Sequence, residues 1–547
     1  MSLNKFKLKK NLLCIDWPLL LFIIGVINVK TYVKVLAIII YFSYFIYKRV
    51  SFTTKLITPF KFYLVIPFIG IIASMINHSF NVPGYWFGYL FGLLQWAICA
   101  AALFLLYIAI TTGNREKLIK TVEAFFIINI LASLLQLMLI MIASKSIFPY
   151  WLYDEAGRYG VSTGDKLFGI VFNNSINNSA ISTIGGIYFL FNKKVKLALI
   201  CMLVMVLCTS NLSVIIALFT LTIAFIFIRE KDSRKKIAIT VLFLLIVYPT
   251  VSPVNLQYIS TIFKTFVLHD ATKYENPDSF KVLGRNPVLE RQNDSLKKLG
   301  IKTSEISMKY HLLINENDSF TSVSRLKQLK KQNDKYININ SNVAIVQSVL
   351  KRSFFLIYGV PVEESPLTIY SKPGKVYSFK QTFYFLGSNF RNLLFGAGMG
   401  NFSSKLAVKM TGLELQGKYP IQYVYVSKPF VENHLYTILY YLSKNVALHS
   451  VLNMPNSVYN QIAGEYGLIG IILFVVLYVG YWWKKSTRYG YGKYLIIVLL
   501  LFFGMDYWFE MASLTVIFEL LMLMDIFVYT NSNADNPPPG NSAHADV

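Results

Sequence analysis

Between residues 252 and 455 the chain carries 20 Lys and 5 Arg against 13 Asp plus Glu, an excess of 12 cations and nearly half of its net charge of +25. Such a field suits an anionic substrate, such as a lipid diphosphate or an acidic glycan. It equally suits a solvated surface or attraction to anionic headgroups. The same segment holds NFRNLLFGAGMGNF at 389–402, where Gly396, Gly398 and Gly400 make a turn. Backbone amides in such a turn can face an oxyanion or a phosphate, or the glycines can simply permit the bend. MPNSVYNQIAGEYGLIGIILF at 454–474 closes the segment, with Glu465, Gly467 and Gly470 entering an apolar run. Small residues at that spacing let membrane helices pack closely. No DxD or His/Cys cluster argues for a metal, and no cofactor is expected. Cys14, Cys99, Cys201 and Cys208 lie in or beside apolar runs, so they suggest no disulfide framework.

The elements that must position these groups are membrane helices. Of 547 residues 55% are apolar and only 15% charged, so lipid must solvate most of the chain. The apolar residues fall in runs of roughly fifteen to twenty-five, enough to cross roughly 30 Å of hydrocarbon as helix. Spans are expected at 17–27, 35–47, 60–76, 85–110, 122–142, 176–191, 197–208, 212–228, 237–251, 462–483, 494–508 and 512–529. Those at 176–191 and 197–208 are short or polar-edged and can tilt, break or re-enter. The expected fold is therefore an all-α polytopic membrane protein of about twelve helices. Lys and Arg collect in alternate short loops, at Lys48/Arg49, Arg115/Lys117/Lys120, Lys193/Lys194/Lys196, Arg229/Lys231/Arg234 and Lys484/Lys485/Arg488. By the positive-inside rule both termini are cytoplasmic and the long segment is outside. The organisation expected is a bundle over 1–251, a large mainly helical outer loop over 252–455, a second bundle over 456–530 and a polar, Pro-rich, disordered tail over 531–547. A basic surface facing outward from a membrane excludes nucleic acid as the natural partner.

Four segments, in order, resemble the O-antigen polymerase and ligase superfamily, over about the C-terminal two-thirds of the chain. The stretch 454–474 is similar to the family's His-Asn, aromatic, Gln, Glu-x-Gly-x-x-Gly pattern, matched here by Tyr459, Gln461, Glu465, Gly467 and Gly470. The turn 389–402 is similar to its apolar-Gly-x-Gly-x-Gly-x-Phe segment, and Pro373-Gly374-Lys375 stands where the family has Ser-Gly-Arg. Arg158 to Ala180, with Gly169, Asn173, Asn174, Asn177 and Asn178, resembles its Arg and Asn-rich run before a span; Cys208-Thr209-Ser210-Asn211 resembles its Ser-Arg at an outer helix end. The departures are definite. Asn456 occupies the family's His position, Ser457 the following Asn, Lys375 an Arg and Asn211 another, which points to a divergent polymerase and away from the usual His-assisted route.

The resemblance implies an enzyme of the bacterial inner membrane. It transfers glycan from an undecaprenyl-diphosphate-linked oligosaccharide to a sugar hydroxyl of the next lipid-linked unit, in capsule, exopolysaccharide or O-antigen assembly. Its partners would be donor and acceptor lipid-linked oligosaccharides, the bilayer, a chain-length regulator and a flippase. Because the leaving group is a diphosphate, cations are the natural catalysts. Lys375 and Arg391 are the expected diphosphate contacts, with Arg158 from another loop. Asn456 cannot titrate but can position a hydroxyl, and His434, ahead of His449, is the candidate base. Asn211, Tyr459, Gln461 and Glu465 complete the expected binding set. Two rivals remain: a ligase moving finished glycan to a lipid core or protein, and a transporter or flippase. The transporter fits less well, because the halves differ and the acids Glu123, Asp506, Glu510, Glu519 and Asp525 lie mostly toward the C-terminus, near probable span ends.

Overall fold

The computed structural model describes residues 14–50, 57–151, 163–171, 174–251, 373–412, 415–417, 419–435, 437–438, 451–486 and 490–527. Most of the 252–455 segment, the tail 531–547, Arg158, Asn173 and His449 lie outside the described residues. Among those described, the architecture is all-helical, with no strand and one isolated bridge between Leu415 and Gly417.

Among the described residues nine α-helices precede residue 252: α1 (Trp17–Ile27), α2 (Thr31–Tyr47), α3 (Thr58–Ile76), α4 (Pro83–Thr112), α5 (Arg115–Ser144), α6 (Ser175–Phe191), α7 (Val195–Leu207), α8 (Asn211–Phe227) and α9 (Lys231–Val251). Between residues 252 and 455 come α10 (Gly374–Gly387), α11 (Phe390–Phe395) and α12 (Lys405–Met410). The chain ends in α13 (Val458–Lys485), α14 (Gly492–Phe503), the short α15 (Trp508–Met511) and α16 (Ser513–Phe527). Local signals set several starts. Asp16 accepts from the Leu19 amide at 3.1 Å, Asn114 from Glu116 and Lys117, and Asn174 from Asn177, so each carboxylate or amide satisfies an orphan donor of a first turn.

Each expected apolar run contains a helix over its described residues. By length and composition α3, α4, α5 and α13 are each able to cross a membrane, while α1, α2, α7, α8 and α14 are shorter apolar helices. The expected run 494–508 is cut short: α14 stops at Phe503, and a turn through Gly504 and Asp506 leads into α15. Outward faces carry Leu21, Ile40, Phe68, Leu139, Ile226 and Val476, each more than half exposed. Water would not tolerate that much apolar surface, and lipid does. Inward, α16 is buried on all sides from Ser513 to Asp525, the pattern of a helix at the centre of a bundle. Phe62 of α3, Trp96 of α4, Phe474 and Tyr478 of α13 and Phe509 of α15 pack around one another with ring centroids 5.3–6.2 Å apart where they touch.

Two helices are interrupted inside this bundle. Within α13, Gly467 has φ +63° and ψ −158°, so the helix breaks there; between α15 and α16, Ala512 takes φ +60°. The break at Gly467 sits beside the loop that carries the three glycines.

Candidate functional site

Lys375 stands in the first turn of α10 and is buried. Its amide donates to the Leu452 carbonyl at 2.9 Å, and its Nζ donates to the carbonyls of Asn456 and, at 2.9 Å, Met505. Asn456 turns its Nδ2 to Asp506 Oδ1 at 3.3 Å, and the same oxygen accepts from the Tyr507 amide at 2.8 Å. Three segments far apart in sequence thus bring a cation, an amide and a carboxylate together: the start of α10, the entry to α13 and the turn after α14.

The supporting contacts explain why these segments meet. Ser457 caps α13 by accepting from the Tyr459 amide, and its hydroxyl donates to the Phe503 carbonyl at 3.2 Å. Tyr459 donates to the Leu500 carbonyl at 2.5 Å, which pins α14 to α13. Asn460 grips α10, donating to Ser378 at 3.1 Å and accepting from Thr382 at 2.9 Å. Buried side-chain networks of this kind fix one arrangement when every member is satisfied. Burial pushes the Lys375 ammonium down to about 7, while the nearby Asp506 carboxylate pulls it back up. The Lys375 charge is therefore available near neutrality and held by carbonyls, with no direct ion pair among the described residues, so it keeps attraction for an incoming anion.

The glycine loop does something other than cradle an anion. Gly396, Gly398 and Gly400 have φ of +69°, +93° and +74°, and the backbone from Gly396 to Ser404 is buried among α3, α4, α13 and α15. Irregular backbone at such depth must find partners within the protein. Ala397 and Gly398 donate their amides to the Gly464 and Glu465 carbonyls, at 2.8 and 2.9 Å, which the break at Gly467 has released from the α13 ladder. On the other side Asn77 donates to the Gly396 carbonyl at 3.1 Å and Tyr85 to the Met399 carbonyl at 2.7 Å. The Glu465 carboxyl is buried against the Gly400 and Phe402 backbone and the Ser404 hydroxyl, and it faces Glu510. Glu510 accepts from the Lys405 and Leu406 amides at the start of α12. Gly467, expected as a helix-packing glycine, instead supplies the break that docks the loop.

The remaining expected residues are dispersed. Arg391 lies on α11, in a cavity of about 530 Å³ with Tyr384, Phe385, Lys428 and Asn433. That cavity is toward the far end of α10 from Lys375, about 15 Å along the axis at 1.5 Å per residue. His434 is wholly buried with its ring edge-on to Phe402, centroids 4.6 Å apart, and neither ring nitrogen has a hydrogen-bond partner among the described residues. Burial pushes it down to about 3, so it is neutral and a poor base at neutral pH. Asn211 accepts from Tyr248 and joins α8 to α9. Gln461 is buried in α13 with its amide unpartnered. Asn178, from the Asn-rich run, bonds Asn129, Ser133 and the Leu167 carbonyl, a strut between α5, α6 and the chain before α6. Among the described residues no three His, Cys, Asp or Glu side chains gather to hold a metal.

No family model, curated protein or solved structure matches the chain. Its chemistry must be argued from the Lys375, Asn456 and Asp506 group itself. Asp506 was visible in sequence only as one acid near a span end. Its signal lay in the pairing of an acid with the turn after an apolar run, which a window-by-window reading of hydropathy does not weigh.

Proposed function

We propose that this chain is a divergent member of the O-antigen polymerase and ligase superfamily and extends a glycan carried on undecaprenyl diphosphate. In this reading the five shorter apolar helices cross the bilayer too, as do α6, α9 and α16, giving about twelve spans, with 252–455 on the outer face. The observation that carries it is the convergence of Lys375, Asn456 and Asp506, two of them drawn from motifs that resemble the family's and one from neither.

The acceptor hydroxyl oxygen attacks the anomeric carbon of the donor. A carbon–oxygen bond forms, the bond to the diphosphate breaks, and the electron pair leaves on the diphosphate. Lys375 faces that developing negative charge in a dry setting, where a cation is worth more than in water. Asn456 orients the hydroxyl, and Asp506 takes its proton. A lipid diphosphate headgroup restricts this chemistry to the membrane interface, which suits a helix start packed on the entry to a span. Nothing in this group favours the ligase or the transporter over the polymerase.

Incubation of the chain in nanodiscs with its lipid-linked repeat unit is expected to give a glycan ladder on a gel. A donor consumed only when a lipid core or protein acceptor is added would make it a ligase, and a donor never consumed would end the enzyme reading. The pH profile carries a sharper expectation. The active form needs the Lys375 cation, so the rate should fall as pH rises through about 7. Asp506→Asn removes the charge that holds the Lys375 proton, so whatever rate remains in that variant should fall at a lower pH. A profile indifferent to that substitution would separate Asp506 from Lys375.

A further inference from the structure

The geometry points to a second site on this protein: the cavity walled by Tyr384, Phe385, Arg391, Asn392, Lys428 and Asn433 binds an oligosaccharide that bears a carboxylate or phosphate substituent. That the occupant is a glycan rests on the polymerase reading, whereas the cavity and its chemistry stand by themselves.

The cavity of about 530 Å³ opens between the end of α10, α11 and the chain from Lys428 to Leu435. One wall is aromatic. Phe385 leans on Phe402 with centroids 4.5 Å apart, and Phe402 is itself buried against the α13 break, so this wall is anchored in the core. Tyr384 is 66% exposed, with Lys380 Nζ 5.3 Å from its ring centre. A pyranose ring presents an apolar C–H face that matches such rings, and open aromatic faces are otherwise disfavoured in water. The opposing wall is polar. Asn392 spends one amide proton on Ser388 at 3.0 Å, and Asn433 one on the Pro429 carbonyl at 2.8 Å. Each amide keeps further donor and acceptor positions for ring hydroxyls.

Charge separates this cavity from a neutral sugar cleft. Glu432 also lines the cavity and offsets Lys428 at 3.6 Å, which leaves Arg391 as the net cation of the lining; no carboxylate among the described residues forms an ion pair with Arg391. A planar guanidinium left open beside amides and aromatic rings fits a carboxylate or phosphate in two parallel hydrogen bonds. The cavity is open at one side, as a site for part of a longer chain must be. Its position about 15 Å along α10 from Lys375 leaves room for a short run of sugar rings between the two.

Equilibrium binding to the full chain in nanodiscs tests this without any lipid carrier, using a hyaluronan hexasaccharide as the acidic probe and chitohexaose as the neutral one. The acidic probe should bind about tenfold or more tighter than the neutral one, and Arg391→Ala and Tyr384→Ala should each weaken it by about tenfold or more. Both side chains are exposed, so thermal melting should match the native chain. If Arg391→Ala binds the acidic probe as the native chain does, the site is wrong. If inorganic phosphate displaces that probe and Tyr384→Ala leaves its affinity intact, the cavity is a simple anion site and the proposal is overturned. The ladder assay stays independent. Arg391-dependent binding in a chain that makes no ladder supports the cavity and sinks only the polymerase reading, while a ladder made by a chain with Arg391-independent binding sinks only the cavity.

Discussion

Lys375→Met is expected to abolish the glycan ladder, with donor consumption falling by about 10² to 10³ because one preorganised cation facing the leaving diphosphate is lost. Met matches the length of the Lys stem and fills the same buried space, so packing at the start of α10 survives. The Asn456 and Met505 carbonyls lose a donor, which costs about 1–3 kcal/mol. Removing a desolvated ammonium offsets part of that, so the melting temperature should move little while activity collapses. Lys375→Arg is the discriminating partner. Arg stands at this position in the family the chain resembles, so it should restore polymerisation in part. It also cannot lose its proton in a protein. The rate of Lys375→Arg should therefore stay level where the native rate falls as pH rises through about 7. A ladder from Lys375→Met would assign the whole effect to something other than this charge.

Lys375 and Asn456 were legible because each lies in a short motif next to a recognisable boundary, a Pro-Gly turn and the entry to an apolar run. Asp506 was not, because an acid inside an expected span carries no mark of which partner it faces. The pairing is made by the turn that ends α14 at Phe503, and hydropathy cannot see a turn flanked by apolar residues. Arg391 and His434 show the opposite limit. Both were reasonable by residue type, but α10 is long enough to carry one chemistry at each end, and the ring of His434 is held against Phe402 as core. Helices were easy to place because each apolar run is eleven residues or longer. The break at Gly467 was hidden, since Glu-x-Gly-x-x-Gly is as compatible with a straight, closely packed helix as with an interrupted one.

Gly467→Ala is expected to destabilise the folded chain by about 3–5 kcal/mol, a large share of the 5–15 that holds a typical domain together. At φ +63° and ψ −158°, Gly467 occupies a region that is essentially closed to other residues and costs about 1–3 kcal/mol to force. An added Cβ would also sit 2.5 Å from the Leu394 carbonyl carbon and oxygen and 2.7 Å from the Phe395 nitrogen, all backbone atoms with nowhere to yield. Facing it, Gly396 at φ +69° and ψ −161° would place a Cβ 2.6 Å from the Gly464 carbonyl oxygen. The two segments lie backbone against backbone, so either methyl group separates the Ala397–Gly464 and Gly398–Glu465 hydrogen bonds, each worth about 1 kcal/mol. The effects should not add: once one substitution has opened the contact, the second removes little more. Gly387→Ala is the control, since a Cβ there meets nothing within 4 Å and a helix gains about 0.5–1 kcal/mol from the change. Folded yield by size exclusion and a thermal melt in detergent would separate the three. If Gly467→Ala melts with the native chain, the break in α13 is not required. If it fails as expected while Gly387→Ala does not, the glycines of the two motifs are needed together, because the loop closes the carbonyls that the broken helix leaves open.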